Sequence, residues 1–329
     1  MPARHFCTLF DRNYLLKGVV MLRSIAQHCP GARIHVLCMD QVTVDLLQGL
    51  AIPGVQTIPL VDVESEEVLA AKKTRSIAEY CWTLSSVLLW HVMQRHADIE
   101  LLTYLDADLM FFSDVEPMFV EMAGASILAI EHRYTAQLKN FEPYGRFNVQ
   151  WVSFRRDDDG LACLQEWRAQ CLEWCFAHFQ DDKHGDQKYL DAWPERYGTS
   201  FHSLRHVGAG LAPWNYPNYK IESRDGGIWV DDVPLIFYHF HQLQLLEDGG
   251  FDHFTTDYAQ DTPPPELLYQ RYWQAIQASI ASVRQLDPGF SAGFRAASTV
   301  RLRRMASRAS RALPTKVKSA LKRMGLRAW

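Results

Sequence analysis

The 329-residue sequence contains no run of 18 or more apolar residues, so nothing in it reads as a transmembrane helix. The first residues do not read as a secretory leader either. Met1 to Phe10 has neither a long apolar stretch nor a small-residue cleavage site, and the chain is expected to stay in the cytosol. The seven cysteines are odd in number and lack paired spacing, which fits reduced, buried thiols better than a disulfide framework. Cys171 and Cys175 stand one helical turn apart without a second pair of metal-binding type, and read as two core thiols. Acidic residues stop at Asp287, whereas Gly289 to Trp329 carries eleven Lys and Arg. The remainder then holds 23 basic against 38 acidic residues, so the net charge of −4 conceals an acidic body and a basic tail. An acidic body presents no basic face to nucleic acid.

With 48% hydrophobic and 22% charged side chains, the chain has ample material for a large soluble core. His5 to Phe10 reads as a buried strand. Leu15, Val19, Leu22 and Ile25 recur at helical spacing after it. Ile34 to Met39 and Val55 to Val61 read as further strands with a short helix between them. Strand and helix alternating at these lengths predict an α/β fold with a mostly parallel sheet covered on both faces. A long helix is expected over Arg75 to His96, with Ile77, Tyr80, Cys81, Leu84, Leu88 and Val92 facing inward, and then a strand, Leu101 to Leu105. Ser126 to Ile130, Phe147 to Phe154 and Val233 to His241 read as strands, and Leu161 to Phe176 as a helix. The dense Gly, Pro and Trp from His206 to Tyr219 suggest an ordered loop. Prolines 263 to 265 open a helix running to about Leu286.

The strand at Leu101 to Leu105 leads into Asp106-Ala107-Asp108. Residues two apart in a strand share a side, so both carboxylates are expected to converge on one ion. They fall at the carboxyl end of a strand, where open α/β sheets bind ligands. Leu109 to Phe112 follow, and burying two like charges between apolar segments is costly without a cation. Hard oxygen donors suit Mg²⁺ or Mn²⁺, which would neutralise a departing diphosphate. The bland alternative is a pair of turn-capping aspartates. A phosphatase-type D-x-D-x-T is disfavoured by Met110.

Tyr104-Leu105-Asp106-Ala107-Asp108 resembles the metal motif of the GT-A glycosyltransferases, and most closely that of family 8, which includes bacterial lipopolysaccharide glycosyltransferases and glycogenin. Other segments match in the same order across residues 5 to 245. Phe10-Asp11-Arg12-Asn13-Tyr14 resembles the family's nucleotide loop, Phe147-Asn148 its F-N-x-G strand, Asp186-Gln187 its D-Q pair, and His239-Phe240 its H-F-x-G segment. The resemblance implies a Rossmann-like GT-A domain and Mn²⁺ or Mg²⁺ on Asp106, Asp108 and His239. It implies a UDP-sugar donor near Asp11, Asn13 and Tyr14, and the donor site is expected to include Thr8, Arg75 and Asp106 as well. Asn148 would face the donor sugar, and Asp186 and Gln187 would flank the anomeric carbon, with retention of configuration. Gln150 stands where the family has Gly, and the family's K-P-W is absent. Glu79 to Thr83 resembles the E-Y-x-W-T segment of a looser group of bacterial sugar transferases.

Each residue also has an ordinary reading. Asp11 is placed to cap the next helix while Tyr14 packs, and Asp186 is placed to cap a helix through Leu190. Arg75 is the phosphate contact chosen from a basic cluster that includes Lys72 and Lys73. His239 and His241 share a strand face, so His241 stays open as the alternate ligand, and imidazole tilts the choice toward Mn²⁺. Trp214 and Asn215 read either as a sugar-stacking platform or as packing. In the tail, Leu313, Val317, Ala320, Leu321 and Met324 recur at helical spacing among Lys and Arg, with Trp329 at the end. A basic amphipathic helix of this kind suits an anionic membrane surface and would bring the enzyme to lipid-linked saccharide acceptors. The expected organisation is a GT-A catalytic domain over 1–260, a C-terminal helical segment over 261–294 and a basic amphipathic tail over 295–329. Two other functions are open. A sugar-1-phosphate nucleotidyltransferase would carry a glycine-rich phosphate loop, which Leu9 to Asn13 is not; a non-catalytic nucleotide-sugar-binding module would bind without turnover.

Overall fold

The alternating apolar segments at the start of the chain fold as β1 (His5–Phe10), α1 (Leu15–His28), β2 (Arg33–Cys38), α2 (Gln41–Leu50) and β3 (Val55–Pro59). The computed structural model describes residues 3–253, 258–302 and 305. Next come α3 (Glu66–Lys72), α4 (Ile77–Arg95), β4 (Leu101–Leu105), β5 (Leu109–Phe111), α5 (Glu116–Met122), β6 (Ile127–Glu131), β7 (Phe147–Arg155), α6 (Asp158–Glu173), α7 (Trp193–Tyr197) and β8 (Phe201–Ser203). The last part holds β9 (Ile221–Arg224), β10 (Gly227–Val230), β11 (Val233–Pro234), β12 (Phe237–His239), β13 (Gln244–Leu246), β14 (Phe251–Asp252), α8 (Glu266–Leu286) and β15 (Phe294–Arg295).

Seven strands form the central sheet in the order β3-β2-β1-β4-β7-β6-β8. β1 runs parallel to β2 and β4, and β2 to β3; only β7 opposes its neighbours. Side chains alternate between the two faces, as a period of two requires. Phe6, Ile34, Val36, Leu105 and Trp151 pack with Leu15, Val19 and Leu22 of α1 on one face, and α8 joins that core through Tyr272, Ile276 and Val283. Cys7, Leu9, Leu37, Leu102 and Val152 pack with Leu84, Leu88 and Val92 of α4 and Trp167 of α6 on the other. With both faces covered, this is the expected α/β arrangement. Strand order reverses between β1 and β4, so the segments leaving their carboxyl ends, 11–14 and 106–108, emerge side by side. Such a switch point leaves an open crevice.

Some boundaries differ from the periodicity reading. The long helix begins at Ile77, because Ser76 caps it and Glu79 returns a bond to the Ser76 backbone, which closes a capping box. Ile77 sits in that first turn beyond the core and is 77% exposed. Asp106 and Asp108 lie in the turn joining β4 to β5, so convergence of their side chains comes from the turn and not from strand alternation. The strand expected over Val233 to His241 is two short pieces in different sheets, parted around Pro234; proline cannot donate to a ladder. Cys175 falls beyond the end of α6 but is buried, and all seven cysteines are free thiols. Among the described residues no helix is long and apolar enough to cross a membrane. The amphipathic helix expected over 313–329 lies outside the described residues.

Candidate active site

β12 pairs antiparallel with β5 and sets His239 opposite Leu109. The Phe240 backbone N–H donates to the Asp108 carbonyl at 2.9 Å, fastening the histidine segment onto the acidic turn. His239 Nε2 consequently lies 2.9 Å from Asp108 Oδ1 and 3.8 Å from Asp106 Oδ2. On its other side, His239 Nδ1 is 3.1 Å from Gln150 Oε1. An amide oxygen only accepts, so Nδ1 keeps its proton for Gln150 and Nε2 faces the carboxylates. The Gln150 backbone N–H donates to Asn148 Oδ1, and Asn148 Nδ2 lies 3.0 Å from His132 Nε2. Alternate residues of β7 thus brace the ring from beneath.

The two aspartates diverge electrostatically. Burial pushes the Asp106 carboxyl up to about 6; His239 opposes the rise and the charge on Asp108 adds to it. Burial would raise Asp108 too, but the His239 ring bonded to it, together with Lys17, holds it well below the ordinary carboxylate range. Lys17 is itself buried, and burial lowers its ammonium against the pull of Asp108. His241 is pushed down to about 3 by burial and by repulsion from His239, which favours the neutral imidazole that ligates metals.

Asp108, His239 and His241 each present a ligand atom within 4.8 Å of the others, and form the one such group among the described residues. One carboxylate oxygen and two imidazole nitrogens are a borderline donor set, suited to a first-row divalent ion ahead of Mg²⁺. The residues therefore fit a divalent ion.

The other expected residues fall into two groups. Asp186 is buried, and its carboxyl is pushed up to about 8 by burial and by the charge of Asp106. Gln187 Nε2 donates to the Tyr144 carbonyl at 3.0 Å. Thr8 is buried in β1 with its hydroxyl unpartnered. Asp11 accepts from the Asn13 and Tyr14 backbone N–H groups and from Asn13 Nδ2, so its carboxylate shapes its own turn. Arg75 is engaged with the end of α6. It donates to the Leu172 and Glu173 carbonyls at the end of α6 and stacks on Phe176 at 3.8 Å. Trp214 and Asn215 are both buried. Asn215 bonds the Ala212 N–H and the His132 and Gly210 carbonyls, so this pair is packing and offers no open face to a sugar.

The structure adds Gln150, His132 and Lys17. The signal for Lys17 was a single cation inside the apolar Leu15-Leu16-Lys17-Gly18-Val19-Val20 of α1. Nothing local marks His132, which only the tertiary fold brings under Asn148.

The family model for glycosyl transferase family 8 matches residues 5–151. Two relatives from Bacillus subtilis (strain 168) align along most of the chain. The uncharacterized protein YfnD is 33% identical over 297 residues, covering 89% of this chain and 95% of its own length. The uncharacterized protein YfnF is 30% identical over 296 residues, covering 87% and 96%. Among solved structures, the glycosyltransferase GlyE in Streptococcus pneumoniae TIGR4 superposes with a TM-score of 0.51 at 13% identity, over 86% of this chain and 64% of that one.

Proposed function

The chain belongs to glycosyl transferase family 8 and has the GT-A fold, and from that premise we propose a metal-dependent hexosyltransferase. It moves a sugar from a UDP-sugar to a hydroxyl of a cell-surface glycan, such as lipopolysaccharide, or of a lipid-linked saccharide, with retention at the anomeric carbon. The observation that carries this reading is the trio Asp108, His239 and His241 with Asp106 beside it, gathered at the switch point of the sheet. When bound there, a divalent ion supplies positive charge against the diphosphate oxygens.

The protein's own part is positional and electrostatic. Gln150 fixes the His239 ring so that Nε2 faces the carboxylates. The turn held by Asp11 orients Asn13 and Tyr14 toward the nucleotide. Asn148 is engaged with His132 and Gln150, and serves the donor sugar by positioning that strand. Asp186, whose carboxyl is pushed up by burial and by Asp106, hydrogen-bonds a sugar hydroxyl beside the anomeric carbon. Gln187 supports the anomeric centre. As the bond from the anomeric carbon to the diphosphate breaks, the acceptor oxygen bonds to that carbon, and its proton passes to the leaving phosphate oxygen.

The basic tail is read as docking on anionic lipid on the cytoplasmic face. Deleting residues 303–329 would abolish flotation with phosphatidylserine vesicles, and unchanged flotation would remove the membrane role. The transferase reading is tested by incubating a UDP-sugar panel with Mn²⁺. Slow hydrolysis is expected in the intact protein and its loss in Asp108→Ala. A panel neither hydrolysed nor bound overturns the reading.

A further inference from the structure

Aromatic rings are mostly covered in this fold. Among the described residues only Tyr14, Tyr144 and Phe179 are exposed large aromatics, and Tyr144 and Phe179, 39% and 41% exposed, stand together. Their rings meet edge to face at 5.9 Å, and His184 lies against Tyr144 at 5.1 Å.

The presentation of Phe179 is built by the backbone. Gln180 and Lys183 exchange both backbone bonds, at 3.1 and 2.8 Å, around Asp181 and Asp182, whose φ angles are +49° and +56°. Two successive positive φ values mark a tight two-residue reversal, which leaves Phe179 at its shoulder. Tyr144 is fastened from below, since its carbonyl accepts from Gln187. Inward, ring contacts run from Tyr144 to Phe141 at 6.2 Å and from Phe141 to Tyr258 at 5.3 Å, and Tyr258 meets His241 at 5.6 Å. The exposed pair is therefore continuous with both the Asp186–Gln187 pair and the metal-ligand histidines.

Resting on the transferase reading, we infer that Tyr144 and Phe179 form an aromatic corner that holds the saccharide acceptor. A pyranose ring has an apolar face of C–H groups and a polar rim, which matches aromatic faces edged by His178 and Gln180. The rim beside Phe179 carries groups of both signs, with Asp182 paired to Lys188 at 3.3 Å, and such mixed donors and acceptors suit sugar hydroxyls better than the apolar body of a bilayer. With Trp214 buried and Tyr14 in the turn after β1, Tyr144 and Phe179 are the remaining exposed aromatic rings among the described residues.

The test measures binding of lactose, maltose and cellobiose by saturation-transfer NMR, in the presence of UDP and Mg²⁺, alongside calorimetric titration of UDP in Mn²⁺. At least one disaccharide is expected to bind through its C–H protons. Tyr144→Ala and Phe179→Ala should each weaken it about tenfold, Tyr144→Phe should retain it, and UDP affinity should stay within about twofold of the unsubstituted protein. Three results overturn the inference: no disaccharide binds to a protein that binds UDP, folded alanine variants bind it as before, or UDP or phosphatidylserine-vesicle binding falls in step with it. Failure of the unsubstituted protein to bind UDP with Mn²⁺ sinks the transferase reading instead.

Discussion

His239 is held from two sides, by Asp108 at 2.9 Å and by Gln150 at 3.1 Å, and the second contact is specific to a residue that replaces the family's glycine. An outer hydrogen bond of this kind sets the tautomer and raises ligand basicity. Gln150→Leu removes it while keeping the buried volume. It also deletes an amide nitrogen that has no partner in the interior, so thermal stability should change little. The expected outcome is an Mn²⁺ affinity lower by roughly 10- to 100-fold, measured by electron paramagnetic resonance of free Mn²⁺; unchanged affinity would leave Gln150 without a role at the metal. At this scale the sequence was legible where chemistry is local. Asp108 and His239, two of the three residues that gather their ligand atoms, stand in motifs that the sequence offered, while Asp106 lies beside that group. The participation of His241 was open, since the strand reading put both histidines on one face, whereas His241 lies beyond the end of β12 and reaches the site through the following turn. Arg75 was read as a phosphate contact because it is a cation before a helix start; the fold also brings the carbonyls at the end of α6 within its reach.

α4 shows how one side chain organises an element. Glu79 accepts from the Ser76 N–H at 2.8 Å, closing the cap, and from the Ala177 N–H at 2.8 Å, tying the helix to the segment that precedes Asp186. Burial pushes its carboxyl upward, but these backbone bonds outweigh burial and hold it below the ordinary range. A depressed carboxylate contributes stability that is complete above its unfolded pKa and lost as pH falls through its folded one. Glu79→Gln should therefore cost about 1–3 kcal/mol at pH 7 in urea unfolding, and the difference from the unsubstituted protein should shrink below about pH 4. A difference independent of pH would contradict the charged cap. The strands β1, β2 and β4 were readable because each is mostly apolar and buried along its length, and β3 and β7 because apolar residues recur between turn segments. The start of α4 was read two residues early, at Arg75, because only the Ser76–Glu79 cap fixes it, and the short helix α3 before it was not read.

At the scale of the whole molecule, the sheet separates two kinds of histidine cluster. His239 and His241 sit at the carboxyl ends of the strands, while His5, His35 and His96 gather toward the amino ends, with ring centroids 5.8 Å apart for His5 and His35 and 5.1 Å for His35 and His96. Burial pushes His35 down to about 4, His96 and His5 add to it, and Asp98 opposes; Arg33 also faces His5. A histidine with a lowered folded pKa favours the native state while neutral, and that stability is lost as pH falls from about 6.5 to about 4. Thermal unfolding should show an acid limb across this window, and His35→Gln should recover up to about 3 kcal/mol at its lower end; an identical limb in the variant would assign the acid lability elsewhere. The fold class was legible at this scale because alternation of strand and helix dictates a covered parallel sheet.

Titration of Mn²⁺ in the presence of UDP, followed by electron paramagnetic resonance, addresses the junction of β4, β5 and β12 most directly. One bound ion per chain is predicted for the unsubstituted protein, with that binding lost in Asp108→Ala and in His239→Ala. Equal Mn²⁺ binding by all three proteins, or none by the first, would contradict the account.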